Sequence, residues 1–154
     1  MTGTLRSKTR PRPSPASRRF GYVIAIVINI VLIVIANNLL DWGWFTFLTN
    51  DFSDVLWLLN VSLAVGIAAN LWYVVNDSRR PKAFGQTVTN VMSMLVSIRM
   101  LQVFPFDFSG WDTNWSWLIR TLIILAIAGS AIGAIVELVK LIGAARDIEE
   151  PAAG

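Results

Sequence analysis

Two arginines stand inside long apolar runs of this chain: Arg99 within residues 88–108, VTNVMSMLVSIRMLQVFPFDF, and Arg120 early in residues 115–139. A guanidinium presents a planar fork matched to carboxylate or phosphate, so two at one level suit an anionic ligand. Counting ~1.5 Å per residue from the outer ends of the spans, Pro105 for Arg99 and Trp115 for Arg120, sets both roughly 8–9 Å deep, with Asn60 at a similar level. Asp54, Asp107 and Asp112 fall just above them. Arg99, Arg120, Asp54, Asp107 and Asn60 therefore form the candidate site for ligand or partner contact. The competing reading is structural, with both arginines snorkelling or pairing with the aspartates to fix nearby loops, and the sequence favours it. Arg99 is about 160° round its helix from Ser97, so if the ridge of Thr89, Ser93 and Ser97 faces the other helices, Arg99 turns toward headgroups or a partner.

Composition narrows the chemistry further. The chain has no Cys and no His, which removes thiolate and imidazole metal ligands, thiol nucleophiles and the commonest general base. No catalytic residue, metal or cofactor is expected, and the chain reads as no enzyme. With 55% hydrophobic residues gathered in four long runs, it reads instead as all-α: an integral membrane bundle of four antiparallel transmembrane helices. The net charge of +3 comes from basic ends, so it points to anionic lipid headgroups and not to nucleic acid.

The elements that must position these residues follow in order. Residues 1–19 carry six Lys or Arg, no acid and alternating prolines, and read as a disordered basic tail. The transmembrane domain is 20–143, with spans at about 20–40, 54–75, 87–104 and 115–139, followed by a tail at 144–154. In the first span Asn29 lies among the smaller residues Ala25 and Ala36. In the second, Asn60, Ala64 and Ala68 share a stripe with Gly66 and Asn70 beside it. In the loop 76–86, Pro81 and Gly85 are expected to stop the preceding helix. The third span offers Ser93 and Ser97, and ends at Pro105. The fourth offers Ser130 on a ridge overlapped by Gly129 and Gly133. Asn29, Asn70, Ser93 and Ser97 are the intramembrane polar candidates. Ala64, Ala68, Gly129, Ser130 and Gly133 are the helix-packing candidates. The asparagines suit either a polar path or packing, and packing is favoured, because such interhelical bonds are common in passive bundles.

Orientation follows from charge. Lys and Arg crowd the N-terminal tail, the loop 76–86 and the C-terminal end, whereas loops 41–53 and 106–114 have none. Both termini are therefore expected on the cytoplasmic side. Most of the aromatics, including Trp42, Trp44, Phe47, Phe104, Phe106, Phe108 and Trp111, gather at the opposite face.

A second span opening DFSDVLWLLNVSLAVGIAANLWY, a third closing IRMLQVFPFDF and an arginine early in the fourth resemble a group of uncharacterised small four-helix membrane proteins of actinobacteria. That resemblance covers about residues 20–143. It implies a bacterial plasma membrane and carries no chemistry with it. The function expected is a non-catalytic accessory or scaffold role, associating laterally with a larger membrane protein complex or as a homo-oligomer. The runner-up is a small transporter or channel with an outward-facing arginine-lined site for an anion or lipid headgroup.

Overall fold

The computed structural model describes residues 14–149, four helices with no strand among them: α1 (Pro15–Trp42), α2 (Ser53–Val75), α3 (Arg79–Val103) and α4 (Ser116–Glu149). Residues 1–13 of the basic tail and 150–154 of the C-terminal tail lie outside the described residues.

Three of the helical segments are long and apolar enough to cross a membrane: Pro15–Trp42, Asn50–Val75 and Ser116–Gly143. The expected third span falls short, because Gln86, Thr87, Thr89, Asn90 and Arg99 dilute the apolar residues of α3. Its neighbours explain how that polarity is tolerated. α1 lines α2, α2 lines α3 and α3 lines α4, while α1 and α4 share no comparable interface. The least apolar helix is thus flanked on two sides, and two of the three apolar ones, α1 and α4, occupy the ends of the row.

Two helix starts differ from the sequence expectation, each for a local reason. α1 begins at Pro15 and so includes Arg18 and Arg19, assigned above to a disordered tail. Ser14 Oγ accepts from the Ser17 N–H at 3.2 Å, and proline at the first helical position costs nothing because its N–H would be unbonded there. α3 begins at Arg79, before Pro81 and Gly85, which stand inside the helix and do not terminate its predecessor. Pro81 sits in the first turn, where no intrahelical donor is required. α4 likewise continues to Glu149, through the first part of the expected tail.

Hydrophobic burial is sparse and sits mostly toward the helix ends: Phe52, Val55, Pro105 and Phe108 at one end, Tyr73 and Ala83 at the other. Between them, contact relies on small residues. A Cβ on Gly66 of α2 would stand 3.1 Å from Asn29 Oδ1 of α1, and one on Gly133 of α4 would stand 2.9 Å from Asn90 Nδ2 of α3. Glycine at both places lets the neighbouring asparagine lie against helix backbone. Ala36 is buried, whereas Val27 of α1 and Ile132 of α4 are 53% and 62% exposed, as expected of faces solvated by lipid or covered by protein.

Candidate functional site

At the aromatic end, the loop after α1 and the loop after α3 are stitched together by backbone. Thr49 N–H donates to Pro105 O at 3.0 Å and Asp107 N–H to Phe47 O at 2.8 Å, around an antiparallel bridge of Leu48 with Phe106. The rings follow the backbone: Phe47 stacks on Phe108 at 5.4 Å and meets Trp111 edge-on at 5.9 Å. Aromatic pairs at such separations each add roughly 0.5–1.5 kcal/mol beyond area burial. α3 ends on Phe104, a non-glycine residue at φ 44°. The left-handed conformation costs such a residue roughly 1–2 kcal/mol and turns the chain sharply into buried Pro105.

That turn places the Phe104 ring under Arg120, whose guanidinium carbon lies 3.8 Å from the ring centroid. Arg99 reaches α2 instead: its Nε donates to the backbone carbonyl of Asp54 at 3.4 Å, a long bond. Among the described residues neither arginine forms an ion pair with a carboxylate. Asp107 turns back on its own loop, accepting from Ser109 N–H at 2.9 Å, and this backbone donor holds its carboxyl below the ordinary value. A polar hollow of about 360 Å³ lies beside it, lined by Asp107, Ser109, Asp112 and Asn114, with neither arginine on its wall.

Asn60 joins a different partner. Its Nδ2 donates to Asn37 Oδ1 at 3.0 Å and Asn37 Nδ2 donates to Asn60 Oδ1 at 2.8 Å, a reciprocal amide pair between α2 and α1. Asn29 and Asn70 bond back to Ala25 O and Gly66 O one turn earlier. Ser97 is half-buried and Ser93 exposed, so the ridge they share with Thr89 is only partly in contact. Ser130 is half-buried; Ala64, Ala68 and Gly129 are exposed, and a Cβ on Gly129 would meet open space. The five candidates at the arginine level thus lie near one end of the row without converging on one point.

The opposite, basic end holds a polar network that sequence reasoning missed. Asp77, in the turn between α2 and α3, accepts from Tyr22 Oη at 2.6 Å and from Arg18 Nε at 2.6 Å. Those two donors, the tyrosine first, hold its carboxyl below the ordinary value. Lys82 Nζ donates to Tyr22 Oη at 3.0 Å, and Tyr73 Oη donates to the Lys82 carbonyl at 3.1 Å. Tyr22 and Tyr73 meet edge to face with centroids 5.5 Å apart. Gly85 makes room: a Cβ there would collide with the Tyr73 hydroxyl. The network ties α1, α2 and α3 together through directional, charge-assisted bonds. The available signal was compositional, since these are the chain's two tyrosines and Asp77 is the lone acid among the basic residues of that loop.

Chemically, the aromatic end offers cations stacked on a ring or bonded to backbone, and the basic end a clamp of charge-assisted bonds. Among the described residues no group of three acidic, histidine or cysteine side chains is arranged to hold a metal. No family model matches the chain, and no curated protein or solved structure matches it either.

Proposed function

We propose that this protein is a non-catalytic accessory or scaffold subunit of a bacterial plasma membrane, joining laterally to a larger membrane complex or to further copies of itself. The observation that carries this reading is the open row: among the described residues α1 packs extensively on α2 alone and α4 on α3 alone, and long apolar faces of both stay uncovered. A row of this kind presents two flanks to the bilayer, and flanks are where a partner helix packs.

All four helices cross in this account. The bridge of Leu48 with Phe106 puts the ends of α1 and α3 together, and the contact of Tyr22 with Asp77 puts the start of α1 beside the turn into α3. α3 therefore runs the full depth of the row between α2 and α4, with its 25 residues spanning about 37 Å. Positive charge then assigns the clamp and both termini to the cytoplasm and the aromatic cap to the outside.

The transporter alternative has less support. Asn29 and Asn70 bond their own helix backbone, Asn60 is occupied by Asn37, and Arg120 is stacked on Phe104. Extraction of the native protein in a mild detergent, followed by size and mass analysis, tests the proposal. A species larger than one chain is expected. A lone monomer, or saturable ion flux through it in proteoliposomes, would overturn the scaffold reading.

A further inference from the structure

The hollow of about 360 Å³ at the aromatic end is walled by residues of the stretch 106–116, the connection from α3 into α4. Its volume is that of a small-ligand site. The connection is held in shape by backbone: Asp107 N–H donates to Phe47 O at 2.8 Å and Trp111 N–H to Phe108 O at 3.1 Å. Two kinds of side chain meet there, rings from Phe106, Phe108 and Trp111 and carboxylates from Asp107 and Asp112. Trp111 stands at 85° to Phe108 with centroids 6.2 Å apart, and Phe106 lies within 17° of parallel to Phe108. The exposed Trp111 and the half-buried Phe106 are therefore nearly square to each other. A guest in the angle between two such rings can touch a face of each, where the quadrupole is negative. The carboxylates keep their charge. Asp107 is held by the N–H and hydroxyl of Ser109, both uncharged donors, and among the described residues Asp112 has neither a hydrogen bond nor an ion pair. Loops 41–53 and 106–114 contain no Lys or Arg, and Arg99 and Arg120 turn to the Asp54 carbonyl and the Phe104 ring.

We propose that this hollow binds a small organic ammonium ion, seated against the Trp111 and Phe106 rings with Asp107 and Asp112 as its counter-charges. Rings and carboxylates together select that class. A calcium ion takes about six to eight oxygen ligands and gains nothing from aromatic walls, and among the described residues no group of three acidic side chains is arranged to hold a metal. An uncharged guest would cover the carboxylates without compensating them. An alkylated ammonium spreads its charge over apolar surface and so satisfies ring faces and carboxylates at once. A free solute and a lipid headgroup both carry this group, and the test separates them. The site is apart from the lateral flanks of α1 and α4, and it does not require the scaffold role.

Equilibrium binding of radiolabelled choline to the purified full chain in maltoside detergent tests it. Saturable binding is expected, displaced by tetramethylammonium and not by the uncharged carbon isostere of choline. Asp112→Asn weakens it about fivefold, the effect of one unit charge near contact distance in water, and leaves the fold intact because Asp112 is exposed and unbonded. Trp111→Leu weakens it about two- to fivefold, and Trp111→Phe, which keeps a ring, restores part of the loss. Asp51→Asn and Trp57→Leu, at the same end but off the hollow, leave it unchanged. Competition by phosphatidylethanolamine added to the micelles assigns the site to a lipid headgroup, and undiminished choline binding assigns it to a free solute. Absence of saturable binding, equal displacement by the uncharged isostere, or displacement by calcium in place of tetramethylammonium would overturn the proposal, as would binding indifferent to Asp112→Asn and Trp111→Leu.

Discussion

Asn37 and Asn60 exchange two amide hydrogen bonds across the interface of α1 and α2, and Asn37 also donates to Ile33 O of its own helix. Each thereby satisfies the other in a setting where an unpaired amide is expensive. Interhelical polar bonds in membranes average about 0.6 kcal/mol and reach about 1.7 kcal/mol, and a two-bond pair belongs in the upper part of that range. A double-mutant cycle of Asn37→Ala and Asn60→Ala, read by thermal unfolding in detergent, is expected to give a coupling of about 1 kcal/mol. Additive single effects would show that the pair adds nothing.

The two glycines of α4 behave differently despite their spacing of four. Gly133→Leu drives a side chain into Asn90 and is expected to cost about 1–3 kcal/mol, the range for overpacking. Gly129→Leu enters open space and is expected to leave the unfolding midpoint nearly unchanged.

Arg99 and Arg120 separate in the same way. Arg120→Ala loses the Phe104 ring and is expected to cost about 0.5–2 kcal/mol. Arg99→Ala loses one long bond to a carbonyl and is expected to cost less than about 1 kcal/mol, with helicity by circular dichroism intact.

Asp77 gives the molecule an acid-sensitive joint. Its folded-state pKa lies below its ordinary value, so the stability it contributes is complete above the unfolded value of about 3.9 and is lost as pH falls through the folded value. Between about pH 5 and pH 3 the unfolding midpoint of the wild type should fall more than that of Asp77→Asn. Tyr22→Phe removes the strongest donor and should move the loss to higher pH. Asp107 is shifted in the same direction, so a residual acid response remains in Asp77→Asn.

What the sequence made legible was whatever depends on contiguous residues. The first, second and fourth spans announce themselves as long, mostly apolar runs, and the sharp exit of α3 is written in Phe104 and Pro105. Prolines misled where position within the helix mattered: Pro15 and Pro81 both sit in first turns, where the missing N–H is harmless. Partners distant along the chain were hidden. Nothing local in Asn60 marks Asn37 as its mate 23 residues away, and nothing in Tyr22 marks Asp77, 55 residues on. The angular argument that turned Arg99 away from its neighbours assumed that Ser93 and Ser97 both face inward. Ser93 is exposed, so the contact face is rotated and Arg99 can reach the Asp54 carbonyl.

Sidedness is directly measurable because the chain contains no cysteine. Ser109→Cys in the aromatic cap should react with an impermeant maleimide on intact cells, and Ser78→Cys at the start of α3 should react only after permeabilisation. The reverse pattern would invert the orientation.

The central claim is that the uncovered flanks of the row are contact surfaces for protein. Photo-crosslinking amino acids placed at Val27 of α1 and Ile132 of α4, both exposed, test it in intact membranes. The account predicts that illumination shifts the chain to a discrete higher mass from at least one flank, through a second copy or a larger membrane protein. Crosslinking to lipid alone from both positions would contradict it.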